Sequence, residues 1–288
     1  MDQPNQIAKP VATSNVRRRF GSARFAIRGP LDARTDLLFG GIGVGVLIAL
    51  WCLLTYGGFV RPLFLPSPSG IWKDMVSLQT NPHHDPWLVP SIWRSFWRVT
   101  RALFLVIVVG VPIGVTIGAF PQLDAFVRKI INGGKAVPIS GMLGLTTLWF
   151  GFQEQGMVIF IFLGALFYMV ILAKNAIASV NQEYVRVALD LGGNQWQVIW
   201  KVLLPGALPQ IWDALAVCNG IMWTYIVLAE LVNASPSTLG LGYLIQLGTR
   251  TNQSGMVYGA LIIIALISSI TDFVLQIFRK RFFHWSLS

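Results

Sequence analysis

The chain has 288 residues, 54% of them hydrophobic and only 12% charged, with a mean hydropathy of +0.62. Soluble domains carry about 25% charged residues, and apolar residues here come in runs rather than alternation, so both a soluble globular protein and a transmembrane β-barrel are disfavoured. The net charge of +10 would suggest nucleic acid in a soluble protein, but beside long apolar runs the cytoplasmic excess of Lys and Arg explains it more simply. The expected class is an all-α polytopic membrane protein.

Residues 1–35 are polar and carry Arg17, Arg18, Arg19, Arg24, Arg28 and Arg34. No small-residue cleavage site follows, so they read as a disordered basic tail ahead of an anchored helix. Residues 36–90 hold a first span at about 37–57 and a proline-rich, interfacial stretch with Pro62, Pro66, Pro68, Trp72 and Trp87. His83 and His84 are adjacent and point to different faces of any regular structure, which argues against a metal site.

Residues 91–280 form the core, with further spans at about 97–119, 136–152, 157–177, 207–233 and 256–277, six in all. Residues 121–135 read as a polar connection, 151–156 as a tight polar turn and 234–255 as a Gly-, Ser- and Asn-rich loop. Residues 281–288 are the C-terminal end. Cys52 and Cys218 lie inside apolar runs and read as packing residues.

Six spans put both termini on one side of the membrane. That side holds 16 of the 22 Lys and Arg; Arg61, Lys73, Arg94, Arg98, Arg101 and Arg250 are on the other. The termini and residues 183–205 are therefore expected in the cytoplasm.

No His-Glu-x-x-His, Gly-x-Ser-x-Gly or Cys-x-x-Cys is present. Asn132-Gly-Gly-Lys-Ala136 lacks the first glycine of a phosphate loop, and Ala136 stands where Ser or Thr would hold magnesium. No catalytic residue, cofactor or metal is expected on this chain.

Residues 183–209 differ from everything around them: they are amphipathic and mixed in charge. Gly192-Gly193 suits a left-handed helix end, Asn194 and Gln197 have capping-box spacing, and Pro205 ends one helix or opens the next. Two short helices are expected. A DNA-reading helix-turn-helix is disfavoured, because 194–204 offer only Lys201 to a groove. Val185, Ala188 and Leu189 make one apolar ridge; Trp196, Ile199, Trp200 and Leu203 make another. Such aromatics pack partly on the chain's own helices and partly on a partner.

The stretch resembles the EAA loop of type I ABC importer permeases, whose motif is E-A-A, three residues, G, nine residues, I, one residue, L-P. Ala188 matches its second alanine, Gly192 its glycine, Val202 its isoleucine and Leu204-Pro205 its Leu-Pro. Arg186 and Val187 depart from its glutamate and first alanine. Phe64-Leu-Pro-Ser-Pro-Ser-Gly-Ile-Trp72, Ser91-Ile-Trp-Arg94, Trp149-Phe-Gly151, Ala229-Glu230 and Gly240-Leu-Gly-Tyr243 are similar to landmarks of the nitrate, sulfonate, taurine and bicarbonate branch.

The resemblance implies the type I ABC transporter transmembrane fold in a bacterial inner membrane. It also implies a paired permease subunit, with a homodimer expected, cytoplasmic ATPase subunits that carry ATP and Mg, and a periplasmic solute-binding protein. The coupling surface it implies comprises Glu183, Arg186, Ala188, Gly192, Trp196, Val202, Leu204 and Pro205. A small anion moves inward by alternating access on this reading. A secondary transporter without an ATPase is the alternative; no internal repeat supports it.

Candidate pathway or gate residues are Arg94, Arg98, Arg101, Asn219 and Glu230. The three arginines share a helix face near the outer end, where they either raise the local anion concentration or snorkel to lipid phosphate beside Trp93 and Trp97. Glu230 either gates the outer side or braces the loop at Gly240. Asp213 and Asp272 lie near the cytoplasmic ends, wet or paired with Lys201 and Arg279.

Overall fold

The computed structural model describes residues 33–80, 87–151, 153–233 and 236–283. His83 and His84, residues 1–32 of the basic tail and residues 284–288 lie outside them. Among the described residues there is no strand. The chain divides into two units at Gly57 and Gly58.

The first unit contributes helix α1, Ala33–Tyr56, apolar on all faces. The second unit contains nine helices among the described residues: α2 Pro68–Thr80, α3 Leu88–Ala119, α4 Pro121–Ala136, α5 Ile139–Phe150, α6 Glu154–Ala178, α7 Gln182–Asp190, α8 Gln195–Val232, α9 Leu241–Arg250 and α10 Ser254–Phe282.

Helix α6 is the centre of the second unit. Met157, Phe160, Ile161, Ala165, Met169 and Ala173 along it have no exposed surface. It packs against α8 and the second half of α3. The approach to α3 depends on Gly110, Gly114 and Gly118, which form one ridge at four-residue spacing. A Cβ on Gly114 would lie 2.6 Å from Ala173 Cβ and 2.8 Å from Val170 O; one on Gly118 would lie 2.8 Å from Ile177 Cβ. Only hydrogen fits there, so the backbones come close.

Among the described residues, five helices are long and apolar enough to cross a membrane: α1, α3, α6, α8 and α10. The third span expected over 136–152 is instead the 12-residue α5. At about 1.5 Å per residue it reaches about 18 Å, short of the about 30 Å hydrocarbon layer. Pro138 precedes its first residue, and Gly151, with φ 67°, ends it.

Two expected connections are helical. Residues 121–135 form the amphipathic α4, started by Pro121 in its first turn. Asp124 accepts from Arg128 Nη2 at 2.5 Å and from Lys174 Nζ at 2.6 Å, which fastens α4 to α6. Within the expected loop 234–255 lies α9, which buries Leu241, Tyr243, Leu244 and Ile245. The proline-rich segment before α2 is held by α10: Ser254 Oγ donates to Pro62 O and Tyr258 Oη to Phe64 O, at 2.8 and 2.9 Å.

Candidate functional site

Chemistry-bearing residues gather in three places: the segment 181–205, the C-terminal end of α8 and the seam between α8 and α10.

Local hydrogen bonding builds the first. Asn181 Oδ1 accepts from Glu183 N at 3.0 Å and caps α7. Gly192, with φ 84°, turns the chain out of α7; its N–H donates to Leu189 O at 2.8 Å, and Gly193 N donates to Ala188 O at 3.0 Å. That paired bonding is a Schellman end, and the positive φ favours glycine. Asn194 Oδ1 accepts from Gln197 N at 2.9 Å while Gln197 Oε1 accepts from Asn194 N at 3.0 Å, a reciprocal cap that starts α8.

The second short helix expected here is not separate. It continues through a π turn at Ile199–Leu203 into the membrane-length part of α8, a run of 38 residues. Leu204 N closes the wide turn by donating to Ile199 O. The turn sits immediately before Pro205, whose ring and missing N–H disrupt a four-residue ladder, so one extra residue is accommodated there.

The apolar residues of this segment divide. Val198 and Ile199 are buried, while Tyr184, Leu191, Trp196 and Trp200 are 63%, 84%, 64% and 63% exposed. Within the second ridge, Ile199 thus faces the bundle while Trp196 and Trp200 face outward. Glu183, Arg186 and Pro205 are exposed; Ala188, Val202 and Leu204 are half-buried. A concavity of about 510 Å³ is lined by Ala188, Leu191, Gly192, Gln197, Lys201 and Val202.

At the C-terminal end of α8 Arg98 is wholly buried, so it neither snorkels to lipid nor steers solute from the surface. All five of its guanidinium hydrogens are used. Nε donates to Glu154 Oε2 at 2.8 Å and Nη2 to Glu154 Oε1. Nη1 donates to Glu230 Oε1 at 2.7 Å and Leu239 O at 3.0 Å, and Nη2 also to Thr238 O at 3.2 Å.

Glu230, equally buried, accepts from Ser95 Oγ at 2.7 Å and from Gly242 N at 2.8 Å. Ser95 Oγ in turn accepts from Leu241 N at 2.9 Å. A Cβ on Gly240 would lie 2.6 Å from Arg98 Nη1. Four parts of the chain therefore meet: α3, the start of α6, the end of α8 and the segment leading into α9. Arg94 lies outside the cluster and donates to Ser237 O at 2.7 Å; Arg101 is exposed.

Glu154 and Ser95 escape sequence reasoning. Glu154 had one available signal: it is the lone acid in a short polar turn on the side that carries Arg94, Arg98 and Arg101. Nothing in the pattern marks Ser95.

Along the seam between α8 and α10, Asn219 Nδ2 donates to Thr271 Oγ1 at 3.0 Å. Arg279 Nε lies 2.9 Å from Asp213 Oδ1 as an ion pair without hydrogen-bond alignment, so it is Asp213 and not Asp272 that meets Arg279. Asp272 accepts from Gln276 Nε2 at 2.9 Å. A polar groove of about 570 Å³ runs between these residues.

Long apolar helices, a closely packed α3–α6 pair and an aromatic loop continuous with one span describe a multi-span membrane protein. Residues 110–284 match the binding-protein-dependent transport system inner membrane component, and the chain belongs to that family. It is similar to the taurine transport system permease protein of Escherichia coli K12, 29% identical over 271 residues, covering 94% of this chain and 97% of that one. It is also similar to a putative aliphatic sulfonates transport permease of Bacillus subtilis 168, 29% identical over 240 residues and covering 83% and 84%.

Among solved structures, the inward-facing methionine ABC transporter MetNI shares the fold, with a TM-score of 0.59 at 20% identity, covering 68% of this chain and 95% of that one. The chain is a type I ABC importer permease, a transport component rather than an enzyme, whose ATPase is a separate subunit.

Proposed function

We propose that this permease carries a small anionic solute of the sulfonate or taurine class inward, by alternating access driven by a cytoplasmic ATPase. The observation that carries the reading is the exposed Trp196–Trp200 surface, placed on a helix that runs on to Glu230 without a break. A partner that closes and opens against the two indoles moves the same rod that spans the membrane. Solvent-exposed tryptophans of this kind are typical anchors in protein interfaces.

ATP and Mg belong to that ATPase on this reading. A second permease copy completes the pathway, a periplasmic binding protein delivers the solute, and lipid covers the rest. Both termini face the cytoplasm on this reading, in keeping with the distribution of Lys and Arg. Helix α5 and its flanking residues make the sixth passage: they link α4, held at Lys174 near one end of α6, to Glu154 at the other. The solute class rests on the taurine and aliphatic sulfonate relatives.

The test is reconstitution of the permease with the ATPase and the solute-binding protein in liposomes. Inward uptake of labelled taurine or an alkanesulfonate that requires ATP and all three components supports the proposal. Uptake without the ATPase overturns the coupling, and uptake of neither solute overturns the class.

A further inference from the structure

The polar groove between α8 and α10, of about 570 Å³, is large enough for a small molecule, whose sites start at about 300 Å³. Ser268, Ser269, Asp272 and Gln276 line one wall of it, three and four residues apart on one face of α10. Ser269 and Gln276 are exposed; Ser268 and Asp272 are half-buried. Gly220 lines the opposite wall, where a Cβ would meet nothing within 4 Å.

The two carboxylates of the groove differ. Asp213 is paired with Arg279. Asp272 accepts from the neutral Gln276 and has no cation at ion-pair distance among the described residues. It lies ten residues before the end of α10, about 15 Å along the axis of a membrane-length helix. An ionisable group at such depth is expensive and calls for a partner. One turn earlier, Ser268 Oγ also has no partner among the described residues. Side chains four apart on a helix start about 5–6 Å from each other.

We infer that Asp272 receives the ammonium group of an aminosulfonate while Ser268 Oγ donates to its sulfonate, so that the groove takes a zwitterion in preference to a plain anion. The inference rests on the sulfonate reading above and names the member of that class. Taurine carries its ammonium two carbons from its sulfonate, a spacing that one helical turn matches. A plain alkanesulfonate meets the same carboxylate as a like charge, which selects against it. Arg279 and Lys280 lie seven and eight residues beyond Asp272, about 10–12 Å along the axis, so the hydroxyl one turn away is the nearer donor. The ethanolamine headgroup of a phospholipid has the same chemistry, an ammonium two carbons from an anionic acid, and is the second source to test.

The complete importer, reconstituted in liposomes free of ethanolamine phospholipid, tests this with labelled taurine and labelled ethanesulfonate. Each is supplied with the binding protein saturated by that solute alone. The wild type should take up taurine faster than ethanesulfonate. In Asp272→Asn the ratio of taurine to ethanesulfonate uptake should fall about tenfold, the scale of one hydrogen bond to a charged group. Asp272→Glu should keep most of the ratio, and both variants should retain the ATPase and the second permease copy at wild-type stoichiometry.

An unchanged ratio in Asp272→Asn overturns the site, as does a wild type that moves the two solutes equally. If the wild type moves taurine alone, uptake lost in Asp272→Asn and kept in Asp272→Glu supports the site, and uptake kept in both overturns it. Loss of a subunit from Asp272→Asn assigns the carboxylate to a subunit contact and overturns the site as well. Ethanolamine phospholipid that copurifies with the wild type and is lost from Asp272→Asn, with taurine uptake intact, assigns the groove to lipid and has the same consequence. A wild-type importer that takes up neither solute overturns the functional reading itself.

Discussion

Arg98 Nη1 donates to Glu230 Oε1 at 2.7 Å, joining two fully buried charges from α3 and the far end of α8. Burying such a pair is costly unless every lone hydrogen and oxygen is satisfied, and here all five guanidinium hydrogens are. Removing one member leaves the other buried and uncompensated. Arg98→Gln is expected to destabilise the chain by about 3–5 kcal/mol, while Arg94→Gln, which loses one exposed bond to a carbonyl, costs under about 1.5 kcal/mol. Thermal unfolding of both purified variants makes the comparison; equal melting temperatures would refute the clamp.

Helix α3 and helix α6 touch through missing side chains. Gly114→Ala places a methyl 2.6 Å from Ala173 Cβ and 2.8 Å from Val170 O, so one helix must move. Overpacking of this kind costs about 1–3 kcal/mol. Adding Ala173→Gly should recover part of the loss, because the backbone contact with Val170 remains. Additive losses in the double variant would show that the two residues do not meet.

The turn at Gly192 is a matter of backbone geometry. Proline fixes φ near about −65° and has no N–H, whereas Gly192 has φ 84° and donates to Leu189 O. Gly192→Pro should leave insertion and folding of the spans intact but abolish solute-stimulated ATP hydrolysis in the reconstituted importer. Wild-type stimulation in that variant would dissociate the turn from coupling.

Asp124 gives a pH signature. Hydrogen bonds from Arg128, and next from Lys174, hold its carboxyl below the usual carboxylate range. A lowered folded value means that the unfolded chain takes up the proton first as pH falls. The stabilising contribution is therefore complete above about pH 5 and is lost as pH drops below about 4 towards the folded value. Asp124→Asn should be less stable than wild type at neutral pH, with the difference shrinking in acid. A constant difference across that window would argue against the ion pairs that tie α4 to α6.

The features legible in the sequence are those with local causes. Gly192, Gly193, Asn194 and Gln197 set caps within a few residues of themselves, so their geometry can be read from spacing. Arg98 shows why the rest is hidden. Its helix face is shared with Arg94 and Arg101, yet its burial depends on Glu154, 56 residues away, and on Glu230, 132 residues away. Helix α9 is concealed by the glycine, serine and asparagine around it, although Leu241, Leu244 and Ile245 carry its buried stripe. Pro138 and Gly151 are legible in the sequence as the stops that shorten α5, whereas hydropathy alone extends the apolar run past both. The π turn before Pro205 has no pattern, since the helix on either side reads the same.

The central claim is that the exposed indoles of the 183–205 loop are where the ATPase grips the rod α8. Trp196→Ala combined with Trp200→Ala removes two side chains that are 64% and 63% exposed, so the chain itself should fold and insert as before. Interface tryptophans of this kind contribute about 2 kcal/mol or more each, enough to dissociate a complex on purification. The direct measurement is the amount of ATPase subunit that copurifies with the detergent-solubilised double variant. The account predicts that the ATPase is lost while the permease is recovered at wild-type yield. An ATPase retained at wild-type stoichiometry would contradict it.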